Sequence, residues 1–328
     1  MKIAVVTGGA GFIGSHMVDL LLAEGYRVNV IDNLVGGRLD NLAHHKGNSN
    51  LVFTKQDCRD LKPGDPLFQG AEFVIHFAGI GDIVPSIERP VDYLSANVMG
   101  TVGALEAARA AKVKKFVYAA SSSCYGLAAV PTTEAAPIQP QYPYALSKFM
   151  GEEAVLHWGQ CYKLPVVSIR IFNAYGPRSK TTGAYGAVFG VFLAQKLAGK
   201  PFTVVGDGIQ RRDFVFVTDL ARAFYAAATS PKTQEIYNVG AGNPQSVNQL
   251  VELLGGPVVH IPKRPGEPDC TWADITKICD ELRWEPKISF PEGVATMLKN
   301  IDYWRNAPVW DPTSIAVATK SWFAALNK

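Results

Sequence analysis

The sequence predicts an α/β fold built on a doubly wound parallel sheet, with a smaller α/β unit behind it. Three observations predict this. Short apolar runs recur at residues 3–7, 28–32, 51–56, 73–77, 115–121 and 166–172. They are continuous rather than alternating, as strands covered on both faces require. Helical patterns at 12–23, 98–111 and 144–162 separate them, which is the rhythm of parallel crossovers. The first run also passes straight into a glycine-rich turn, Gly8-Gly-Ala-Gly11-Phe-Ile-Gly14, that opens the first helix. That placement makes the sheet Rossmann-type.

The character of the chain changes near Gly176-Pro177, where loops lengthen and proline and glycine cluster. Helices are expected at 187–197, 217–228, 247–253 and 291–304. Residues 1–175 are therefore expected to form a dinucleotide unit, with about 214–230 returning to it. Residues 176–328 are expected to form the smaller substrate unit, with an extension after about 305. Asp311-Pro312 reads as an N-cap followed by a first-turn proline. Ile315, Ala318, Trp322 and Ala325 then mark one helical face over 315–326.

With 328 residues, 48% of them hydrophobic, the chain can bury a sizeable core. Its 32 basic and 29 acidic side chains give +3, and neither sign forms a block. A basic nucleic-acid stripe is thereby excluded. Cys58, Cys124, Cys161, Cys270 and Cys279 are scattered, without the pairing that zinc requires. No run approaches the roughly 18 apolar residues of a membrane span, and the chain starts directly with a strand. A soluble, cytoplasmic protein without metal or membrane partner is expected.

Glycine at 8, 11 and 14 permits a tight turn, lets backbone approach a pyrophosphate and leaves a helix N-terminus facing it. A plain strand–helix turn is the other reading. Asp32 ends the second strand, where a carboxylate accepts from ribose hydroxyls and repels a 2′-phosphate. NAD is therefore expected rather than NADP, with Arg38 as a counter-signal. Asp57 ends the third strand and can accept from an adenine amine, or merely cap its loop. Asn33 and Cys58 stand beside these two acids. Phe12, Ile13, Phe77, Ala78 and Phe172 are the further expected cofactor contacts, the small Ala78-Gly79 letting a dinucleotide cross the sheet edge.

Tyr144 and Lys148 are four apart and share one helical face. A free phenol, near 10, is too weakly acidic to act as a base at neutral pH. A neighbouring ammonium and a positive nicotinamide would favour its phenolate. Ser121 ends the fifth strand and can orient a reacting hydroxyl, with Ser123 as a second contact. His76, His157 and the His44-His45 pair lack partners at catalytic spacing. Arg212 and Arg264, in glycine-rich loops, suggest an anionic ligand, or else surface charge or an ion pair between units.

On these motifs the chain resembles the extended short-chain dehydrogenase/reductases, and within them the nucleotide-sugar 4-epimerases of UDP-glucose/UDP-galactose type. The resemblance rests on 7–14, Asp32-Asn-Leu34, Asn97-Val-Met-Gly-Thr101, Ser121-Ser-Ser-Cys-Tyr-Gly126 and Tyr144–Lys148. It continues through Arg170-Ile-Phe-Asn-Ala-Tyr-Gly-Pro177, 206–214 and Arg264-Pro-Gly-Glu267, and ends near Trp304. It implies that Asn173, Arg212 and Arg264 contact a sugar-linked diphosphate and that Glu267 accepts from the nucleotide ribose. It further implies that Asn97 sits in the catalytic helix supporting the lysine. The implied reaction is transient oxidation at C4, with Tyr144 moving the proton and NAD the hydride, followed by return of both to the other face. A homodimer through the two helices holding Asn97 and Tyr144 is also implied.

Related 4,6-dehydratases carry an Asp-Glu pair where this chain has Ser122-Ser123, and related decarboxylases carry a glutamate there. Dehydration is therefore disfavoured. Thr271 stands where some relatives have a bulky aromatic, so an N-acetylated hexose is expected to fit. A net nucleotide-sugar oxidoreductase or a non-catalytic NAD-binding module are the other readings.

Overall fold

The computed structural model describes residues 2–179, 181–182 and 188–326. Its strands are β1 (Ile3–Thr7), β2 (Arg27–Asp32), β3 (Leu51–Lys55), β4 (Ala71–His76), β5 (Lys115–Ser121) and β6 (Val166–Ile171). The second half adds β7 (Asn173–Tyr175), β8 (Phe202–Val205), β9 (Arg211–Arg212), β10 (Phe214–Phe216), β11 (Glu235–Val239), β12 (Gln245–Ser246) and β13 (Val258–Ile261). Seven strands form the central sheet in the order β11-β6-β5-β4-β1-β2-β3, every pair parallel. The order reverses between β1 and β4, which opens the ligand crevice of a doubly wound sheet.

Helices α1 (Phe12–Ala23), α2 (Ile83–Glu88), α3 (Pro90–Leu94), α4 (Gly100–Ala110) and α5 (Pro143–Tyr162) follow the first strands. Helices α6 (Val188–Leu197), α7 (Val217–Thr229), α8 (Val247–Leu254), α9 (Thr276–Leu282), α10 (Phe290–Lys299), α11 (Pro312–Ala318) and α12 (Lys320–Leu326) complete the chain. On one face of the sheet, Val6, Val30, Ile75 and Val117 pack with Met17, Leu21, Leu220 and Phe224 of α1 and α7. On the other, Val5, Val74, Phe116 and Val166 pack with Leu105 and Val155 of α4 and α5. Each fully buried aliphatic side chain contributes about 1.5–3 kcal/mol, which is why these runs are apolar throughout. A separate aromatic core, with Tyr175, Phe189, Phe192, Phe202, Phe214 and Trp304, fills the second half.

Several boundaries differ from expectation for local reasons. The 98–111 pattern is the end of a longer element, since α3 and a π-helical turn (Ser95–Met99) precede α4. The 291–304 pattern breaks at Asn300 and the 315–326 pattern at Thr319, so Ala325 is exposed rather than on a shared face. Ala187 of the expected 187–197 helix lies outside the described residues. The strand β11, unnamed in the sequence reading, extends the central sheet beside β6.

Candidate functional site

The β1–α1 turn is built for close approach. Gly8 has φ +69°, and a Cβ there would stand 2.7 Å from the Ala78 amide nitrogen. A Cβ on Gly14 would collide with the Gly8 carbonyl, so Gly14 lets α1 seat against the turn. Gly11 caps α1 without any side-chain acceptor, leaving the helix's first amides, from Phe12 onward, without a side-chain cap. Such an end suits a phosphate. Asp32 is buried at the tip of β2. Its carboxylate accepts from the amides of Ala10 at 3.0 Å and Leu34 at 2.8 Å, and burial raises its pKa against both bonds. Asn33 donates to Asp57 at 2.7 Å. Arg59 grips Asp57 with two guanidinium bonds and its own amide, holding that carboxyl far below its usual range despite partial burial. Cys58 beside it is buried, its thiol pushed up to about 12 chiefly by burial. Arg38 pairs with Asp40 and lies over the Tyr303 ring. Phe77 lies just past β4 and packs on Phe224, Ala78 adjoins Gly8, and Phe172 packs near Tyr125. These glycines, uncapped amides and acids fit NAD.

Pro143 occupies the first turn of α5, where its fixed φ helps the helix start. Tyr144 and Lys148 follow on one face. The Tyr144 phenol is raised by burial and drawn back by the Ser121 hydroxyl. Ser121 closes β5, and its Oγ lies 2.8 Å from that of Ser123. Lys148 is pulled down to about 7 by burial, against the attraction of Glu152. Its Nζ sits 4.5 Å from the centroid of the Tyr118 ring. Ser121 thus acts on the Tyr144 phenol in addition to the ammonium and nicotinamide expected there. The lysine is itself desolvated and faces Tyr118 and Gly79.

Asn97 departs from expectation. It sits in the π-helical turn, not in α5, and is buried. Its amide donates to the Ile80 carbonyl at 3.0 Å and to Ser147 Oγ at 2.9 Å, and accepts from the Ile80 amide at 2.8 Å. The extra residue of a π turn aims this side chain across to α5, and such turns occur often at functional sites. Asn97 therefore ties the loop after β4 to the face of α5 next to Lys148.

On the second-half side, Thr271 donates to Asn173 at 2.7 Å and accepts from the Asp213 amide at 3.2 Å. Arg212 donates to Glu267 at 2.8 Å, so the ion-pair alternative describes this arginine as the chain stands. Arg264 lies over the Trp322 ring, 5.6 Å from its centroid. The buried Asp213 carboxylate collects the amides of Ala241, Gly242 and Ala273, pinning the loops that carry Arg212 and Thr271.

The fold also recruits groups that the sequence reading passed over. Tyr142 stacks beside Tyr144, with rings 6.4 Å apart and nearly parallel. Burial raises its phenol, and Tyr144, Glu267, Ser123 and Arg212 all act on it. It therefore joins the two halves of the site, and its closeness to Tyr144 in sequence was the available signal. Behind Lys148, Glu152 is buried and receives Arg170 through Nε at 3.0 Å and Ser168 at 2.7 Å. His76 bridges Thr7 at 2.6 Å and Thr101 at 3.0 Å. Burial holds it neutral, its pKa down to about 3. His44 and His45 do have a partner: both rings reach Asp19 Oδ1, at 2.8 and 2.7 Å, while Arg178 holds its other oxygen.

A model of the NAD dependent epimerase/dehydratase family matches residues 4–240. The UDP-glucose 4-epimerase of Mycolicibacterium smegmatis is 36% identical over 312 residues, 92% of this chain and 98% of that protein. The UDP-N-acetylglucosamine 4-epimerase of Methanobrevibacter ruminantium, solved with UDP-N-acetylmuramic acid, superposes with TM-score 0.87 at 30% identity, covering 92% and 98% of the two chains. The UDP-glucuronic acid 4-epimerase of Bacillus cereus, solved with UDP-glucuronic acid and NAD, superposes with TM-score 0.85 at 30% identity over 92% and 99%. With the glycine turn, the β5 serines and the Tyr144–Lys148 pair in one crevice, the chain belongs to the NAD dependent epimerase/dehydratase family.

Proposed function

We propose that the protein inverts C4 of a nucleotide diphosphate hexose, UDP-glucose/UDP-galactose first, through a transient 4-keto sugar. The observation that carries this reading is the end of β5, where Ser121, Ser122 and Ser123 offer hydroxyls only. Elimination or decarboxylation asks for a carboxylic acid at that place. When bound, NAD supplies a hydride acceptor and a positively charged ring. Gly8, Gly11 and the amides of Phe12, Ile13 and Gly14 would hold its pyrophosphate. Asp32 and Asn33 would hold a ribose and Asp57 with Cys58 the adenine end, while Phe77, Ala78 and Phe172 flank it.

Tyr144 takes the proton from the C4 hydroxyl and later returns it. Ser121 holds the same oxygen and Ser123 steadies it. Lys148, kept in place by the Asn97–Ser147 tie, supports the cofactor ribose and the phenol. Asn173, Arg212 and Arg264 hold the diphosphate, with Glu267 turning from Arg212 to the nucleotide ribose. Clamping the diphosphate leaves the sugar free to turn, which is positioning by remote binding energy. The central sheet thus serves the dinucleotide, and the loops of the second half serve the sugar nucleotide. Thr271 is small and already bonded to Asn173, which leaves room for an N-acetylated hexose.

A homodimer fits the same reading, because Met99, Leu146 and Met150 stand 57%, 43% and 41% exposed on the π turn and α5. Paired helices would cover them. The five cysteines are free, which fits the reducing cytoplasm. Among the described residues no helix is long and apolar enough to cross a membrane.

The test is NMR of UDP-glucose, UDP-N-acetylglucosamine and UDP-glucuronate incubated with the holoenzyme. Inversion at C4 without loss of water or carbon dioxide is expected. A 4-keto-6-deoxy sugar or a pentose product overturns the reading, and no turnover of any sugar favours a binding module. Thr271→Tyr should lose the N-acetyl substrate and keep UDP-glucose. Equal effects on both would sink the pocket argument.

A further inference from the structure

We propose that the C-terminal helix pair α11–α12 is a strap across the substrate side of the crevice, and that Trp322 is a positioning residue for Arg264. The inference rests on the reading of Arg264 as a diphosphate ligand. On one side, α12 packs on α2, the helix of the loop after β4 that itself packs on α5. There Ser321 donates to Glu88 at 2.8 Å. On the other side, α12 meets the loop that carries Arg264 and Glu267. The Trp322 indole is 2% exposed, its N–H donates to the Pro265 carbonyl at 2.8 Å, and its ring carries the Arg264 guanidinium.

Gly266, at φ +69°, brings backbone close enough that a Cβ there would touch Leu326 at 3.5 Å. Phe323 shares a cleft of about 420 Å³ with residues 263–267. One side chain thus touches both the backbone of this loop and its arginine. A guanidinium lying on a ring keeps its donors in its own plane, directed sideways, the disposition that bidentate phosphate binding uses. Apart from the strap, among the described residues this loop, with prolines at 262, 265 and 268, is held by Arg212–Glu267, the exposed Lys263–Asp269 pair and the Arg211 amide on the Asp269 carbonyl.

The matched relatives are spanned almost end to end, whereas only 92% of this chain is covered. The remainder is the size of the segment after Trp304, where the sequence resemblance ends.

The experiment measures UDP binding by calorimetry, and KM and kcat for UDP-glucose, on NAD-loaded Trp322→Ala, Trp322→Phe, Arg264→Ala and the Ala/Ala double variant. Trp322→Ala should weaken UDP binding and raise KM by about three- to tenfold, with kcat within about twofold and bound NAD unchanged. Trp322→Phe should fall between it and wild type, because it keeps a ring under the arginine. The double variant should be no weaker than Arg264→Ala alone. Wild-type UDP affinity in Trp322→Ala alongside weakened Arg264→Ala overturns the strap and leaves the diphosphate reading standing. Unchanged affinity in Arg264→Ala overturns that reading instead. Additive losses refute the coupling of Trp322 to Arg264. If Trp322→Ala does not fold, Trp322→Phe decides by the same comparison.

Discussion

Tyr144 and Lys148 are both pushed toward neutrality by burial. The phenol keeps its proton and the hydroxyl of Ser121 opposes this. Tyr144→Phe should keep the fold, bound NAD and UDP affinity, and lose turnover by about a hundredfold or more. Near-normal rates in a product assay would refute its role. Lys148 has a second consequence. The unfolded chain protonates this lysine up to its ordinary 10.5, whereas the folded chain does so only below about 7. Charging it inside the fold therefore costs stability. That cost is complete below pH 7 and fades as pH rises toward 10.5. Lys148→Met should raise the urea midpoint of NAD-free protein most at pH 6 and least at pH 10.5. An equal gain at both values would show that burial of charge is not the cause.

Helix α5 is the element on which the site depends, and its placement is set from behind. Glu152 lies one turn after Lys148 and receives Arg170 and Ser168 from β6, with side-chain exposures of 1% and 4% for the ion pair. Arg170 also donates to Tyr125 at 2.8 Å, joining β6 to the turn after β5. Glu152→Ala leaves a buried guanidinium without its counter-charge, and should cost about 3–5 kcal/mol in urea unfolding. A loss below about 1 kcal/mol would mean that water or another acid replaces it. Much of α5 was legible in the sequence, because Pro143 and the Tyr144–Lys148 spacing are local signals. The Glu152–Arg170 pair was not, since nothing near either residue announces a partner eighteen positions away. The π turn at Asn97 was likewise hidden, because one extra residue per turn leaves no periodic mark in so short a stretch.

At the scale of the molecule, the exposed faces around Met99 and Leu146 bear on assembly. Leu146→Asp should convert the proposed dimer to a monomer in light scattering, with little change in melting temperature. An unchanged mass would refute this interface. The parallel sheet, its glycine turn and the acid at the end of β2 were readable from order in the chain alone, because strand period, turn chemistry and helix starts are properties of neighbours. The folded chain alone decided that Glu235–Val239 joins the central sheet, that Ser121 acts on Tyr144, and that Arg212 meets Glu267. It alone placed Trp322 on Arg264 and Asp19 between two histidines. These contacts join residues from about 20 to about 70 positions apart, across loops whose length says nothing of where they return. Their energies come from burial and charge in a shared low-dielectric space, and that space exists only once the layers have packed.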